Sequence, residues 1–436
     1  MKVAFITLGC RVNQYETEAM AEKFIKEGYE VVNHTEFSEV YVINTCTVTN
    51  VGDKKSRQMI SRVKKLSSEA IIAVVGCYAQ MASEEISRID GVDVILGTKN
   101  KGQIVYYVNR AIDEKKQQIV VNDVFKSKAF EDLHIEEYQD KTRAFLKIQD
   151  GCNQFCSYCL IPYARGGVCS KEPKQVLEEV KKLADHGFKE IILSGIHTAS
   201  YGRDLDGDWN LLKLLEIINK ISGIERIRIG SIDPNFFTDG VIEKISHLKK
   251  MCPQFHLSLQ SGCDETLKRM NRKYTAAEYK RIVNELRKHI EDVSITTDII
   301  VGFPGETDSE FNATFEFLSD IELSKMHIFK YSPRKGTKAA AMEDQVNGNI
   351  KEERSKKLIS LNKTLEDKFM KKFLGRTMKV LYENSFKGDN DSYEGYTKNY
   401  IRVVAKAMAS PVMGEIVETE LQKIGNEYII GEVPEK

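Results

Sequence analysis

Three cysteines close together in the chain are the residues whose spacing points most directly to chemistry. Cys152, Cys156 and Cys159 lie in the run CNQFCSYC, directly after an apolar strand predicted over residues 145–148. No fourth cysteine completes the set nearby, so three thiolates would leave one iron of a 4Fe-4S cluster without a protein ligand. Such an iron can bind a substrate or cofactor, whereas a cluster closed by four cysteines only transfers electrons.

Two simpler interpretations of these cysteines stay open. A structural zinc site would need a fourth Cys or His ligand to complete a tetrahedron. The nearest candidate is Cys169, ten residues downstream, which we predict not to be a ligand. The three cysteines could also be ordinary buried residues, although three of them within eight residues favour a metal centre.

A second set of three cysteines occupies equivalent positions near the start of the chain. Cys10, Cys46 and Cys77 end the runs FITLGC, VINTC and VVGC, each directly after a predicted strand. In an open parallel sheet the carboxyl ends of the strands meet at one edge, where ligands bind. We therefore predict a second 4Fe-4S cluster here, again with one free iron, although a lone cysteine at a strand end is often only a small packed residue.

The elements around these cysteines predict an α/β chain with three domains, because 436 residues exceed one ordinary core. Strands and helices alternate first in a parallel Rossmann-like domain and then in a partial (β/α)6 barrel, whose carboxyl-end loops carry the chemistry. Short strands at the end of the chain predict a small β-barrel. The predicted boundaries are 1–115 for the first domain, 116–141 for a linker, 142–345 for the partial barrel, 346–372 for a connecting helix and 373–436 for the small barrel.

The strands predicted for the first two domains are short segments of four to eight residues. In the first domain they cover residues 3–8, 40–43, 70–75 and 92–96. In the second they cover residues 145–148, 190–193, 226–229, 255–259, 294–301 and 326–331. The CNQFCSYC loop follows the first strand of this second series, which places it at the carboxyl-end face of the predicted barrel.

Charge gives no long-range attraction to nucleic acid, because 64 Lys and Arg residues balance 64 Asp and Glu residues. Residues 373–436 contain eight basic and ten acidic residues, so net charge does not support RNA binding by the small barrel either. The single local cluster there that could form an RNA face consists of Tyr396, Lys398, Asn399, Tyr400 and Arg402.

The sequence predicts a cytoplasmic protein that makes no membrane contact. The first residues, MKVAFITLGC, lack the basic and then apolar pattern of a secretory signal, and no apolar run approaches about 18 residues.

The two cysteine sets, together with IPYARG, SLQSG and GYTKNYIRV, resemble the radical S-adenosylmethionine methylthiotransferase family over nearly all of the chain. The resemblance implies S-adenosylmethionine and two 4Fe-4S clusters as cofactors, and it makes the small barrel a TRAM domain. It also implies that S-adenosylmethionine is cleaved at the central cluster to a radical that attacks an unactivated adenine carbon, while the N-terminal cluster presents the sulfur. We therefore nominate no conventional general base.

Polar and glycine-containing loops at the ends of strands, and the cysteine loop itself, provide further candidates for contact with the cofactor. The predicted cofactor-binding residues are Tyr158, Gly195, Gln260, Ser261, Gly302 and Glu306.

The segments GIHTASYG, MNRKYT and YSPRKGTKAAAM resemble the branch of the family that converts N6-threonylcarbamoyladenosine at tRNA position 37 to its 2-methylthio derivative. Sister branches modify isopentenyladenosine in tRNA or an aspartate of ribosomal protein S12, and both stay open. A noncatalytic iron-sulfur protein that binds RNA is the alternative from another class. The implied partners are tRNA, a reductant protein such as flavodoxin or ferredoxin, and an unidentified sulfur donor.

The carboxylate of a threonylcarbamoyl group requires a cation or several hydrogen bonds when it is buried. We predict that at least one of His197, Arg272, Lys273 and Arg334 contacts it. The run GGVCSK departs from the family, which more often has an arginine-containing RSR-type run where this chain has Cys169 and Lys171.

Overall fold

A computed structural model describes residues 1–47, 50–127, 129–131, 133, 135, 142–387, 389, 391–406 and 413–434. The first domain is a parallel sheet with helices on both faces. Its strands are β1 Lys2–Thr7, β2 Glu30–Val32, β3 Val40–Thr45, β4 Ile71–Gly76, β5 Val94–Leu96 and β6 Gln118–Val120. Its helices are α1 Arg11–Lys26, α2 Asn50–Leu66, α3 Cys77–Met81, α4 Ser83–Ser87 and α5 Ile104–Glu114.

Hydrophobic strands place this sheet in the middle of the domain. The strand order is β2-β1-β3-β4-β5-β6, and every neighbouring pair is parallel. All six residues of β3 are buried, as expected when helices cover both faces of a sheet. Val42 packs with Phe24 on one face, and Ile43 packs with Ile60 of α2 on the other.

The second domain contains six parallel strands in an incomplete barrel. The strands are β7 Arg143–Asp150, β8 Cys169–Ser170, β9 Glu190–Gly195, β10 Arg226–Ile229, β11 Ser231–Ile232, β12 Gln254–Leu257, β13 Ser294–Val301 and β14 Lys325–Lys330. The helices are α6 Ile161–Arg165, α7 Pro173–Asp185, α8 Leu211–Ile218, α9 Asp239–Ser246, α10 Asp264–Arg269, α11 Ala276–His289, α12 Asp308–Ile321 and α13 Gly348–Lys371. Short 3-10 helices cover Thr198–Ser200, Pro234–Phe236 and Ala339–Ala341 here, and another covers Lys101–Gln103 in the first domain.

Two sheets, β10-β9-β7-β8 and β11-β12-β13-β14, make up this barrel. They meet where Gly230 separates β10 from β11, so these two pieces act as one interrupted strand. A parallel bridge between Ile227 and Met251 connects the sheets at the same place. β8 is the exception among the strands, because it pairs antiparallel with the end of β7.

The chain ends in a small closed barrel with the order β15-β16-β17-β19-β18. Its strands are β15 Thr377–Ser385, β16 Ser392–Thr397, β17 Arg402–Lys406, β18 Ile416–Ile424 and β19 Ile429–Glu432. β15 pairs with both β16 and β18, which closes the barrel. The predicted fold class is confirmed in all three parts.

The Tyr396–Arg402 cluster, which the sequence suggested as an RNA face, packs mainly against the second domain. Tyr396 and Tyr400 stack on each other with ring centroids 4.6 Å apart. The guanidinium of Arg143 lies 4.8 Å from the Tyr396 centroid, and that of Arg228 lies 4.4 Å from the Tyr400 centroid. These two tyrosines therefore belong to a contact between domains.

Five strands were not predicted, namely β2, β6, β8, β11 and β16, and β8 and β11 have only two residues each. β2 and β6 are edge strands of three residues each, and β6 lies inside the predicted linker. β16 has the polar sequence SYEGYT, which lacks an apolar run. Residues 128, 132, 134 and 136–141 of the predicted linker lie outside the described residues, and the predicted domain boundaries stay a prediction.

None of the helices in the described ranges combines the length and the apolar character needed to cross a membrane.

Candidate active site

The CNQFCSYC loop begins where β7 ends and packs closely against the end of α6. The backbone N–H of Cys152 donates to the carbonyl oxygen of Gly166 over 3.0 Å. Gly151 has a φ of +70°, and a Cβ there would lie 1.9 Å from the carbonyl oxygen of Gly167. Only glycine fits at this position, because any side chain would push the cysteine loop off α6.

Each of the three sulfurs in this loop has an N–H donor within reach. The backbone N–H of Gln154 lies 3.4 Å from the Cys152 sulfur, and that of Ile161 lies 3.4 Å from the Cys159 sulfur. The third donor is the side chain of Arg272, whose Nη1 lies 3.3 Å from the Cys156 sulfur. N–H groups directed at sulfur stabilise thiolates and tune the potential of an iron-sulfur cluster.

Two of the three thiols, those of Cys152 and Cys159, are weaker acids than usual in the protein alone. Burial raises the pKa of Cys159 to about 12 and also raises the pKa of Cys152. Thiolates at these positions therefore need a metal centre, which provides the compensating positive charge.

Segments distant in sequence hold the cysteine loop at Ser157. Its backbone N–H donates to the carbonyl of Met270 over 3.0 Å, and its hydroxyl donates to the carbonyl of Arg269 over 2.8 Å. The backbone N–H of Ala339 donates to the carbonyl of Ser157 over 2.8 Å. The MNRKYT and YSPRKGTKAAAM segments thus meet at this loop.

The second cysteine set lies at the carboxyl ends of three adjacent strands. Cys10 precedes α1, Cys46 follows β3, and Cys77 begins α3 directly after β4. A Cβ on Gly9, whose φ is +106°, would lie 2.8 Å from the Cys46 sulfur. Cys46 and Cys77 are buried, whereas Cys10 is exposed. The prediction that these strand ends converge is confirmed by the sheet order.

Thiol spacing in both sets suits a cluster better than one ion. Among the described residues, no three Cys, His, Asp or Glu side chains stand close enough to hold one metal ion. In a 4Fe-4S cluster each thiolate binds a different iron, so its ligands lie farther apart than the ligands of zinc. Three thiols with N–H donors on their sulfurs and Gly151 beside them fit such a cluster at the first set, and three thiols with Gly9 and Gly76 beside them fit one at the second.

Helix α6 separates the two cysteine sets, and Arg165 at its end contacts the second one. The guanidinium Nε of Arg165 lies 3.3 Å from the Cys77 sulfur. At the beginning of the same helix, the N–H of Ile161 points to the Cys159 sulfur. Helix α6, which is five residues or about 7.5 Å long, thus connects the two sets through the Arg165 side chain.

Arg165 is fully buried and belongs to a network of charges between the first two domains. Its Nη1 lies 2.9 Å from Glu16 and 3.1 Å from Asp150. Lys147 lies 2.8 Å from Glu16 and 2.7 Å from Asp150, and Lys101 lies 2.8 Å from Glu16. Sequence reasoning missed this network, because its members are separated by up to 149 residues and none has a spacing signal.

The charges of the network decide its protonation. Burial would raise the pKa of Glu16, but Arg165, Lys101 and Lys147 outweigh burial and hold that pKa well below its usual range. The pKa of Asp150 is lowered in the same way, with Lys147 and Arg165 opposing the effect of burial. Both carboxylates are therefore ionised at neutral pH.

Three predicted cofactor-binding residues lie in tight strand-end loops. Tyr158 packs edge-on against Phe303, with ring centroids 6.4 Å apart. A Cβ on Gly195 would lie 2.9 Å from Oε1 of Gln149, and Gln260 has a φ of +74°. Their contact with a cofactor stays a prediction.

The other three already have partners within the protein. The Ser261 hydroxyl lies 3.2 Å from the hydroxyl of Thr314. The N–H of Gly302 donates to the Glu306 carboxylate over 2.9 Å, and Arg354 forms an ion pair with Glu306 at 2.6 Å. Glu306 therefore fixes its own loop, and its role in cofactor binding also stays a prediction.

A cavity of about 730 Å³ lies beside the first cysteine loop. Asn153 and Gln154 of that loop line it together with two of the predicted substrate-binding residues, His197 and Lys273. The ring of His197 lies 2.9 Å from the Gln154 amide nitrogen. Arg203 also lines the cavity, and sequence reasoning missed it although it directly follows the GIHTASYG segment, a position that could have pointed to it.

Arg272 and Arg334 have partners elsewhere. Arg272 contacts the Cys156 sulfur and also Asp233, at 3.4 Å, so its side chain lies beside the first cysteine set. Arg334 is buried and lies 2.6 Å from both Asp53 and the hydroxyl of Thr47, next to Cys46. Their contact with substrate stays a prediction.

The departure from the family at GGVCSK has a structural outcome. Cys169 is buried in β8, where burial raises the pKa of its thiol to about 11. Lys171 is buried and forms an ion pair with Glu179 of α7. The lysine therefore places its charge inside the protein.

Comparison with protein-family models gives two matches. The Radical SAM superfamily matches residues 146–318, and Uncharacterized protein family UPF0004 matches residues 2–97. The first range contains the CNQFCSYC loop, and the second contains Cys10, Cys46 and Cys77.

Solved structures support the fold. A radical S-adenosylmethionine methyltransferase, TsrM from Kitasatospora setae, with cobalamin and a [4Fe-4S] cluster bound, aligns with a TM-score of 0.57. The alignment covers 78% of this chain and 77% of that chain at 14% identity, so it speaks for the fold alone.

Curated relatives are similar over nearly the whole chain. Threonylcarbamoyladenosine tRNA methylthiotransferase MtaB of Bacillus subtilis is 42% identical over 433 residues, covering 99% of this chain and 96% of the relative. The MtaB protein of Aquifex aeolicus is 41% identical, covering 87% and 92%. A tRNA-2-methylthio-N(6)-dimethylallyladenosine synthase of Clostridium tetani is 37% identical, covering 96% and 93%. This chain therefore belongs to the family of radical S-adenosylmethionine methylthiotransferases, enzymes that work with S-adenosylmethionine and 4Fe-4S clusters.

Proposed function

We propose that this enzyme transfers a methylthio group to C2 of N6-threonylcarbamoyladenosine at position 37 of tRNA. The observation that carries the proposal is that helix α6 connects the two cysteine sets: Ile161 at its beginning contacts the Cys159 sulfur, and Arg165 at its end contacts the Cys77 sulfur. This arrangement suits a reaction in which one centre activates the substrate and the other provides sulfur. The relatives named MtaB support the choice of nucleoside.

When bound, S-adenosylmethionine and the two clusters supply the electron transfer, the radical chemistry and the sulfur. The protein provides position and surroundings. Cys152, Cys156 and Cys159 would hold one cluster, while Cys10, Cys46 and Cys77 would hold the other. The buried ion pairs of Arg165 with Glu16 and Asp150 hold the end of α6 in place between the first two domains.

Substrate choice rests on the cavity beside the first cysteine loop. The threonylcarbamoyl group brings a carboxylate, which favours a pocket with a cation over an apolar one. Of the four predicted substrate-binding residues, Lys273 has an exposed ammonium group that lines the cavity, where it contacts Asn271 at 2.8 Å. We propose Lys273 as the residue that binds the carboxylate, with His197 and Arg203 beside it.

The proposal also includes the protein partners of the enzyme and its location in the cell. A reductant protein such as a flavodoxin or ferredoxin would deliver the electron, and a sulfur donor of unknown identity would renew the second cluster. Both would act in the cytoplasm. The second candidate substrate is isopentenyladenosine in tRNA, favoured by the Clostridium tetani relative.

The test compares anticodon stem-loop RNAs that contain threonylcarbamoyladenosine, isopentenyladenosine or unmodified adenosine. Reconstituted enzyme should convert only the first to its 2-methylthio product, which mass spectrometry of the nucleosides would detect. Lys273→Ala should lower turnover of that RNA roughly tenfold to a hundredfold, the usual cost of a lost hydrogen bond to a charged group. Efficient conversion of isopentenyladenosine would refute the substrate assignment.

The noncatalytic alternative has its own readout. Release of 5′-deoxyadenosine by the reduced, reconstituted enzyme shows that S-adenosylmethionine is cleaved. Protein that binds RNA and both clusters without any such release would be a scaffold.

A further inference from the structure

Three aromatic side chains form an exposed platform beside the cysteine sets. Phe125, Phe155 and Tyr163 have 52%, 41% and 43% of their surface exposed. Tyr163 is the central ring, because its centroid lies 6.5 Å from that of Phe125 and 5.7 Å from that of Phe155, both in edge-to-face geometry. Large apolar side chains that are exposed as a group usually mark a binding surface.

The platform lies where the two cysteine sets approach each other. Tyr163 is the exposed residue of α6, the helix between the sets, whereas its neighbours Pro162, Ala164 and Arg165 are buried. Phe155 belongs to the CNQFCSYC loop itself. The adjacent residue of Phe125, Val124, is buried, and a Cβ on Gly166 would lie 2.4 Å from its carbonyl oxygen.

The backbone holds Phe155 in an unfavourable conformation. Its φ is +48°, in the left-handed region that is unfavourable for a residue with a side chain. The side-chain amide of Asn271 donates to the Phe155 carbonyl over 3.1 Å and stabilises this turn. The protein therefore keeps a strained residue whose ring is directed to the surface.

We propose that this platform stacks the unpaired RNA bases next to the target adenosine. The inference rests on the proposed function, since an adenine that reaches the space between the cysteine sets brings its neighbouring nucleotides over α6. Every base presents a π-face, and stacking on an aromatic ring strengthens binding roughly fivefold to a hundredfold per base. RNA in the loop beside the anticodon is single-stranded, so its bases are free to stack.

Tyr163 and Phe125 are suited to substitution because neither belongs to a cysteine set. The experiment places 2-aminopurine directly 3′ of the target position in an anticodon stem-loop, where stacking quenches its fluorescence. Wild-type enzyme should quench the probe on binding. The double variant Phe125→Leu/Tyr163→Leu keeps the surface apolar but removes two rings, and it should lose the quenching and bind roughly tenfold or more weakly.

Tyr163→Phe is the matched control and should behave like the wild type, because it keeps the ring. Iron content of each variant shows that the clusters are intact. A double variant with wild-type affinity and wild-type quenching would overturn the proposal. So would normal RNA binding combined with slow S-adenosylmethionine cleavage that dithionite restores, because that result would make the platform a docking site for the reductant protein.

The outcome also separates this inference from the proposed function. Wild-type enzyme that quenches the probe but methylthiolates none of the RNAs would leave the platform in place and refute the function. If the wild-type enzyme methylthiolates the RNA while the double variant binds that RNA normally, the proposed function stands and the role of the platform is refuted.

Discussion

Arg165 shows how one buried side chain can connect two sites. Its guanidinium contacts the Cys77 sulfur on one side and Glu16 and Asp150 on the other, and Asp150 ends the strand that leads into the first cysteine loop. A buried cation is stabilised by its anionic partners, and each buried anion is left with an uncompensated charge when the cation is removed. Any change at Arg165 therefore acts on both cysteine sets at once.

Replacing Arg165 with methionine should destabilise the enzyme by about 3–5 kcal/mol, the usual cost of leaving buried charges without their partner. Lys101 and Lys147 would still compensate part of the charge on Glu16. Urea unfolding under anaerobic conditions measures the free energy. Arg165→Lys keeps the positive charge but lacks the branched guanidinium group. Its free energy of unfolding should lie between those of the wild type and Arg165→Met. A methionine variant as stable as the wild type would show that the network adds nothing to stability.

The same network predicts how stability depends on pH. Because the folded pKa values of Glu16 and Asp150 lie below their unfolded values, their contribution is complete above about pH 5 and is lost progressively as the pH falls further. Without Arg165 both folded pKa values rise toward the unfolded ones, so Arg165→Met should lose less stability than the wild type over the same fall in pH. Unfolding free energies measured from pH 3 to pH 8 would show this shallower dependence. Parallel curves for the two proteins would contradict it.

At the scale of elements, the strands and the loops that follow them could be predicted, because local sequence patterns determine them. The six barrel strands were predicted from short local segments, and the structure contains all of them within a few residues of the predicted ends. The strand-end cysteines followed from the parallel order of the sheet. Contacts between distant segments have no local pattern, which is why the pairing of Arg334 with Asp53 and of Arg272 with the Cys156 sulfur came only from the structure.

Helix α2 has a composition that stands out in a chain of zero net charge. It contains one acidic residue, Asp53, and the six basic residues Lys54, Lys55, Arg57, Arg62, Lys64 and Lys65. Lys54, Arg62 and Lys65 line a groove on its outer face. The helix is about 25 Å long and begins beside Cys46, so it extends away from the site as a basic surface.

Changing Lys54, Arg62 and Lys65 to glutamine should weaken RNA binding and reduce its salt dependence. Each phosphate contact that is lost lowers the slope of log affinity against log salt by roughly one. Titrations of a stem-loop RNA at several salt concentrations measure that slope. The matched control changes Lys356, Lys357 and Lys363 of α13, where Lys356 and Lys357 pair with Glu352 and Glu353 of the same helix. Equal slopes for the two triple variants would exclude a special role for α2.

At the scale of the whole molecule, the small barrel and the cysteine loops occupy opposite ends of the second domain. Arg143 and Arg226, which contact the barrel, are the first residues of β7 and β10. The first cysteine loop follows the last residue of β7, about 23 Å away along the strand. RNA that contacted both ends would have to span that distance.

Tyr400 is the residue through which the docking of the small barrel can be tested. The Arg143 side chain donates to its hydroxyl over 3.2 Å, and the Arg228 guanidinium lies over its ring. A cation over an aromatic face contributes roughly 1–2 kcal/mol when it is shielded from water. Tyr400→Leu should therefore destabilise the contact by about that amount and lower the temperature at which the barrel separates from the second domain, as measured by calorimetry or limited proteolysis.

Two control variants make this last prediction specific. Tyr400→Phe keeps the ring and loses only the hydrogen bond from Arg143. It should therefore retain most of the docking stability of the wild type. Tyr428→Leu removes a ring from the same barrel that packs against Phe386 and Arg402 instead of the second domain. It should leave the docking unchanged even where it loosens the barrel itself. Equal docking in Tyr400→Leu and wild type would mean that the remaining backbone contacts, such as those from Arg226 to the carbonyls of Tyr396 and Lys379, hold the barrel by themselves.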